Sequence, residues 1–249
     1  MKCLALLVLL MAAVPAAAQD NPNPIRRPAP DFLLEKPRGT VTLRGSWLFN
    51  RGRSDWYDFV TNHLTLDQKD FNAPGFGFDV NVPITSRLDV QVAFDISRSQ
   101  KLSEYRDFVD NNRLPIEQTT TLRELNLGVN ARYNITGRSR PISRLAWIPQ
   151  KFVPYIGGGA GAMNYNLVQT GDFVDFVDFS VFGETFESHG WAPSAQLFGG
   201  VDVQVFKRVY VTVDGRYFWA SADLGQDWIA FEPIDLTGFR LSGGVSVGF

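Results

Sequence analysis

The chain has 249 residues, a formal charge of −2 and a single cysteine, Cys3. The near-neutral charge argues against a nucleic-acid partner, and a lone cysteine in a leader sequence excludes disulfides and cysteine-based metal sites from the mature chain. Twenty Phe, seven Tyr, six Trp and 22 Gly give an aromatic- and glycine-rich mixture, which membrane barrels and soluble β-sandwiches share, so length and pattern must decide between them.

In chain order, Met1-Lys2 supplies a short positive start, Cys3 to Val14 is an apolar run, and Ala16-Ala17-Ala18 precedes Gln19. This predicts a secretory signal peptide over 1–18, cleaved after Ala18. Cys3 precedes the apolar run, which argues against a lipoprotein signal. Beyond the leader no apolar stretch reaches the ~20 residues of a transmembrane helix. Residues 19–39 are rich in proline and lack periodicity. They read as a flexible periplasmic lead-in, with a small cap over a barrel mouth through Phe32, Leu33 and Leu34 as the alternative.

From residue 40 the sequence alternates apolar and polar residues, and the pattern recurs. Strands are expected near 40–49, 74–84, 87–98, 120–135, 152–167, 193–205, 209–220 and 239–249. The third is the cleanest: Leu88, Val90, Val92, Phe94 and Ile96 alternate with Asp89, Gln91, Asp95 and Ser97. The fifth, with Gly157-Gly158-Gly159, has the least defined facing. The eighth runs to the final residue: Phe239, Leu241, Val245, Val247 and Phe249 on one face, Arg240, Ser242, Gly244, Ser246 and Gly248 on the other.

Several of these strands reach the ~10 residues a tilted membrane strand requires. Long connections follow strands one, three, five and seven, and very short ones follow two and six. Residues 137–150 are an intermediate exception. Short inner turns and long outer loops are the pattern of outer-membrane barrels. With both termini periplasmic, Trp47, Phe49, Phe76, Tyr165, Tyr217, Trp219 and Phe239 fall near the outer interface. Tyr133, Tyr155 and Phe249 fall near the inner one. The fold class is therefore all-β, an eight-stranded antiparallel up-and-down transmembrane barrel over 40–249.

Pro154-Tyr155-Ile156-Gly157-Gly158-Gly159-Ala160-Gly161 and the terminal Val245-Ser246-Val247-Gly248-Phe249 resemble the small outer-membrane β-barrel superfamily. That group includes the transmembrane domain of outer membrane protein A, outer membrane protein W and the opacity-type porin-like proteins. The resemblance spans about residues 40–249. It implies that the terminal strand, ending in Phe249, is the signal read by the outer-membrane assembly machinery. Unlike full-length outer membrane protein A, the sequence shows no peptidoglycan-binding domain after the barrel, which puts a cell-wall tether in doubt.

Eight strands enclose a lumen that side chains fill, or that holds one small ligand. The inward positions predict a charge network: Arg44, Arg132, Arg216 and Arg240 with Asp79, Asp89, Asp95, Glu124, Asp202 and Asp214. Unpaired buried charge is costly, so the expected outcome is a structural plug; a gated conductance path or proton relay is the sharper alternative. The outer loops are aromatic, with Trp56, Tyr57 and Phe59 in loop one and Trp228, Ile229 and Phe231 in loop four. Loop three carries the repeat Asp172-Phe173-Val174-Asp175-Phe176-Val177-Asp178-Phe179, then Phe182 and Phe186. A hydrophobic loop surface is expected from Trp56, Tyr57, Phe173, Phe176, Phe179, Phe182, Trp228 and Phe231, although these rings could equally pack on one another as a cap. The repeat's aspartates match no calcium-loop signature.

No cofactor or metal is expected. His63 and His189 are the only histidines, and Glu187-Ser188-His189 is the only crowding of nucleophile, base and carboxylate. Adjacent strand residues face opposite ways, so an enzyme, a lipid-modifying one in particular, is the least favoured reading. The favoured role is structural or surface-binding through the aromatic loops, in a monomer contacting outer-membrane lipid. The alternative is a narrow passage or binding site for small hydrophobic molecules.

Overall fold

Period-two alternation from residue 40 becomes eight long strands in a computed structural model, which describes residues 33–34, 37–110, 112–141 and 146–249. The predicted signal peptide, and the lead-in apart from residues 33–34 and 37–39, lie outside the described residues. The barrel strands are β1 (Thr40–Asn50), β2 (Ala73–Pro83), β3 (Leu88–Val109), β4 (Pro115–Asn134), β5 (Phe152–Val174), β6 (Val181–Phe206), β7 (Val209–Ala222) and β8 (Gly238–Gly248). Each pairs antiparallel with its chain neighbours, and β8 pairs with β1 to close the ring.

The register proves closure. Following partners once around, Thr40 leads to Asn81, Gln91, Asn130, Gly159, Gln196, Phe218 and Gly238, and Gly238 pairs with Asn50. The path starts at one end of β1 and returns at the other. A stagger of this size tilts the strands by roughly 35–45° to the barrel axis. The last residue is tied in as well: the Phe249 carbonyl accepts from the Arg38 N–H at 2.6 Å.

Alternation sorts the side chains. Leu43, Phe76, Val92, Leu127, Ile156, Leu197, Val213 and Leu241, one from each strand, face outward and are exposed. An apolar exterior on every strand of a closed ring is compatible with lipid, not with water. Among the described residues no helix is long and apolar enough to cross a membrane; this chain crosses with strands. Trp47, Phe49, Trp191, Trp219 and Phe239 rim the outer edge of the band, and Tyr133, Phe152, Phe206 and Phe249 rim the inner edge. Two of the expected girdle residues belong elsewhere. Tyr155 and Tyr165 are buried inside the barrel, because each hydroxyl finds a partner there: Asp214 at 3.2 Å for Tyr155, Ser188 at 2.8 Å for Tyr165. An aromatic ring is stable in an interior that satisfies its polar tip.

The strands are unequal. β1, β2 and β8 have 11 residues and β7 has 14, whereas β3, β4, β5 and β6 have 22, 20, 23 and 26. Half of the ring therefore continues past the membrane as a wall of two hairpins. Residues expected in loops two and three are strand: the Asp-Phe-Val repeat ends β5 and forms the turn over Asp175–Ser180, and β6 begins just after it at Val181. Inside this wall sits helix α1 (Asp55–His63), followed by a 3₁₀ turn, Gln68–Phe71. At the inner end, residues 139–141, 146–149 and Leu33–Leu34 form a three-stranded flap. Part of the expected lead-in is thus sheet.

β4 and β5 approach closely where Gly128 and Gly161 pair. A Cβ at Gly161 would overlap the Leu127 carbonyl oxygen. Glycine in a strand often marks such an approach. Gly161→Val is expected to destabilise the barrel by about 3 kcal/mol or more through overpacking against backbone that cannot yield, seen as loss of the compact, heat-modifiable gel band. Unchanged migration and urea midpoint would refute the close approach.

Candidate functional site: the lumen and the outer mouth

The ten charged residues expected in the lumen are all buried, each at most 4 % exposed. At mid-height, Arg44 on β1 reaches Asp79 on β2 at 2.8 Å, Asp95 on β3 at 3.1 Å and Asp214 on β7 at 3.2 Å. Arg216 on β7 meets Asp95 at 3.1 Å, and Arg240 on β8 meets the same carboxylate at 3.5 Å. Strands β3 and β7 lie opposite each other in the ring of eight, so the Asp95–Arg216 pair spans its diameter. Lower down, Arg132 pairs with Asp202 and lies 3.5 Å over the Tyr155 ring. Asn81, Gln91, Asn130, Gln196 and Asn126 add a chain of amide hydrogen bonds of 2.7–3.3 Å.

Arg138 closes the inner mouth from the base of the flap. It lies 2.7 Å from Asp89 and donates to Thr40 Oγ1 at 3.0 Å. Burial lowers its pKa from the usual arginine value, and Arg132 adds to this, while Asp89 opposes it.

The outer half of the interior is apolar. Trp56, Tyr57, Val60 and Leu64 project from α1 and the residue after it into a cluster with Leu48, Phe71, Leu122, Met163, Tyr165, Phe218 and Trp228. Trp56 stands edge-on to Tyr57 at 4.9 Å, Phe71 at 5.6 Å and Trp228 at 6.1 Å. Asn50 joins the two storeys by donating to both Tyr57 Oη and Glu124 Oε1 at 3.2 Å. Burial, with the Glu124 carboxylate adding to it, raises the Tyr57 pKa well above the ordinary tyrosine value. Glu124 carries no ion pair among the described residues.

Of the eight residues expected as a hydrophobic loop surface, four are not surface. Trp56, Tyr57, Phe173 and Trp228 are buried, because the extended wall gives loops one and four something to pack against. Phe176, Phe179 and Phe182 are exposed and Phe231 is half-buried. Between them lies a cleft of about 180 Å³ lined by Phe59, Phe173, Phe176, Phe182, Phe186, Trp228 and Phe231, with Tyr105, Gln118, Gln169, Val174 and Asp227. Trp228 Nε1 and Gln118 Oε1 are buried without a hydrogen-bond partner. Phe59, Tyr105, Gln118, Gln169 and Asn50 were not among the expected site residues. The i, i+4, i+8 spacing of Trp56, Val60 and Leu64 was the available signal for the helix that brings Phe59 there.

Glu187 and His189 are exposed on the outer face of β6, while Ser188 is buried on the inner one. The three do not converge. No group of acidic residues and histidines that could hold a metal occurs among the described residues.

No protein-family model matches the sequence, and no curated protein sequence matches it. Solved structures similar in fold include Neisserial surface protein A, 13% identical, with a TM-score of 0.48 over 88% of this chain and 98% of that one. The attachment invasion locus protein of Yersinia pestis is 13% identical, with a TM-score of 0.47 over 85% and 99%. The outer membrane protein OprG of Pseudomonas aeruginosa is 12% identical, with a TM-score of 0.47 over 86% and 97%. The likeness is one of fold. The register of this chain itself traces eight antiparallel strands closed in sequence order, an up-and-down β-barrel with a charged lower interior and an apolar upper one.

Proposed function

We propose that the barrel is a non-conducting membrane scaffold that presents an aromatic binding cleft at the outer surface. The observation that carries the first half is the Asp95–Arg216 ion pair across the diameter at 3.1 Å, knitted to Arg44 and Arg240. A permeant solute would have to break several buried charge pairs. The second half rests on the convergence of eight aromatic rings on one cleft. Apolar walls with a few polar groups are the usual make-up of small-molecule sites. The buried Trp228 N–H and Gln118 carbonyl oxygen, both unpartnered, suit an apolar ligand that carries a hydroxyl group. The long hairpins then face outward and both termini inward. Phe249 would be the assembly signal, and the chain would act as a monomer in outer-membrane lipid.

A specific observation also favours surface contact with another protein. At the tip of the β5–β6 hairpin Val177 is 90% exposed and Phe179 64%. Two tests separate the readings. Planar bilayers containing the protein are expected to stay silent; solute-sensitive channel steps would sink the plugged lumen. A small phenol or cycloalkanol is expected to quench tryptophan fluorescence saturably in wild type. Phe231→Ala and Phe186→Ala are expected to weaken that binding about tenfold, the loss of ~1.4 kcal/mol of ring contact. Unaltered binding in both variants would move the ligand elsewhere.

A further inference from the structure

Just above the apolar band, the outward positions of four adjacent strands form one cross-strand row. Arg98 on β3 pairs with Arg123 on β4, Arg123 with Asn166 on β5, and Asn166 with His189 on β6. The row beneath it, Ile96, Leu125, Asn164 and Trp191, holds three apolar side chains, so the change from lipid-facing to polar occurs here.

Two arginines directly opposite on one face of a sheet repel. Inside the barrel every arginine is matched with carboxylates. Here no carboxylate lies within ion-pair distance of Arg98 or Arg123 among the described residues; Arg98 only donates to Gln100 at 3.2 Å. The nearest acid on the same face along these strands is Glu187, two residues beyond His189. Repulsion at an interface is relieved by an anion, and paired guanidinium forks match phosphate oxygens.

A second feature adjoins the pair. β2 is shorter than β3, so β3 between Ser97 and the bridge of Tyr105 to Leu64 has no strand partner on that side. The gap is an open cleft of about 490 Å³. Trp47 and Pro74 line it on the membrane side, and Lys69, Arg98 and Lys101, with one carboxylate, Asp70, on the water side. Lys69 is held by Asp67 at 2.9 Å and Lys101 by Asp70 at 3.2 Å, which leaves Arg98 as its uncompensated cation. An aromatic and apolar floor beneath a cationic rim fits a molecule with acyl chains below and phosphate above.

We propose that Arg98 and Arg123, flanked by this cleft, bind the phosphate-bearing headgroup of an outer-leaflet glycolipid, of which lipid A is the probe. The site lies on the outside of the wall and is separate from the aromatic cleft, so either can fail without the other; it shares only the outward orientation of the long hairpins.

The test uses the full-length barrel, folded in detergent, with lipid retention read by native mass spectrometry. Wild type is expected to retain bisphosphorylated lipid A on the order of tenfold or more over dephosphorylated lipid A. The double variant Arg98→Gln/Arg123→Gln should fall to the dephosphorylated level, and Arg98→Lys/Arg123→Lys should keep most of the preference. Heat-modifiable gel migration checks that each variant is folded. Equal retention of the two lipids by wild type overturns the proposal, and that comparison needs no variant. Full competition by millimolar inorganic phosphate also overturns it, by assigning the arginines to a free anion.

Discussion

Asp95→Ala is expected to cost the barrel about 3–5 kcal/mol, the range for breaking a buried charge cluster by removing one partner. Asp95 is the common carboxylate of Arg44, Arg216 and Arg240. Its loss leaves Asp79 and Asp214 to balance three buried guanidiniums. Asp202→Ala should cost less, because Asp202 pairs with one arginine and accepts one hydroxyl hydrogen bond, from Thr212. Urea unfolding in phospholipid vesicles, followed by tryptophan fluorescence, measures both. A loss below about 1 kcal/mol for Asp95→Ala would contradict the central place given to this residue.

Trp56→Ala should have a comparable cost in a different place. The ring is fully buried and touches Tyr57, Phe71 and Trp228, and large-to-small changes of this kind cost about 3–5 kcal/mol. The loss falls on the docking of loop one against the wall, because the membrane strands keep all their ladder bonds. The expected result is protease cleavage within residues 51–72, at least about a hundredfold faster than in wild type, with gel migration of the barrel unchanged. Global unfolding at the same urea concentration as cleavage would show instead that α1 and the barrel form one cooperative unit.

The membrane-facing part of this fold was legible because lipid on one side and a polar lumen on the other impose a two-residue period. Leu88 to Ser97 shows it residue by residue. Legibility fails where that contrast ends. Above the band β5 and β6 have water, a packed loop or each other as neighbours, and the Asp-Phe-Val repeat has period three. Nothing there announces a strand, and the pairing of Asp172–Val174 with Val181–Gly183 is set by the hairpin below. β5 lost its facing for another reason: glycines and alanines from Gly157 to Ala162 read the same on either face. The charged lumen residues were readable singly from alternation. Which of them meet across the ring depends on the stagger, which no single strand contains. The aromatic cleft was the least legible, since it needs loop one, β3, the β5–β6 hairpin and loop four together.

The seam between β1 and β8 sets an order in time. Seven of the eight strand pairings join consecutive segments, whereas the seam brings together residues as far apart as Thr42 and Ser246, 204 positions along the chain. Closing so long a loop carries the largest entropy cost of any pairing in the ring, and non-local pairings are slow to form. The seam is therefore the last ladder to zip. Until it does, β1 and β8 are open edges with apolar outer faces, the part of the nascent chain most prone to pairing with a neighbouring molecule.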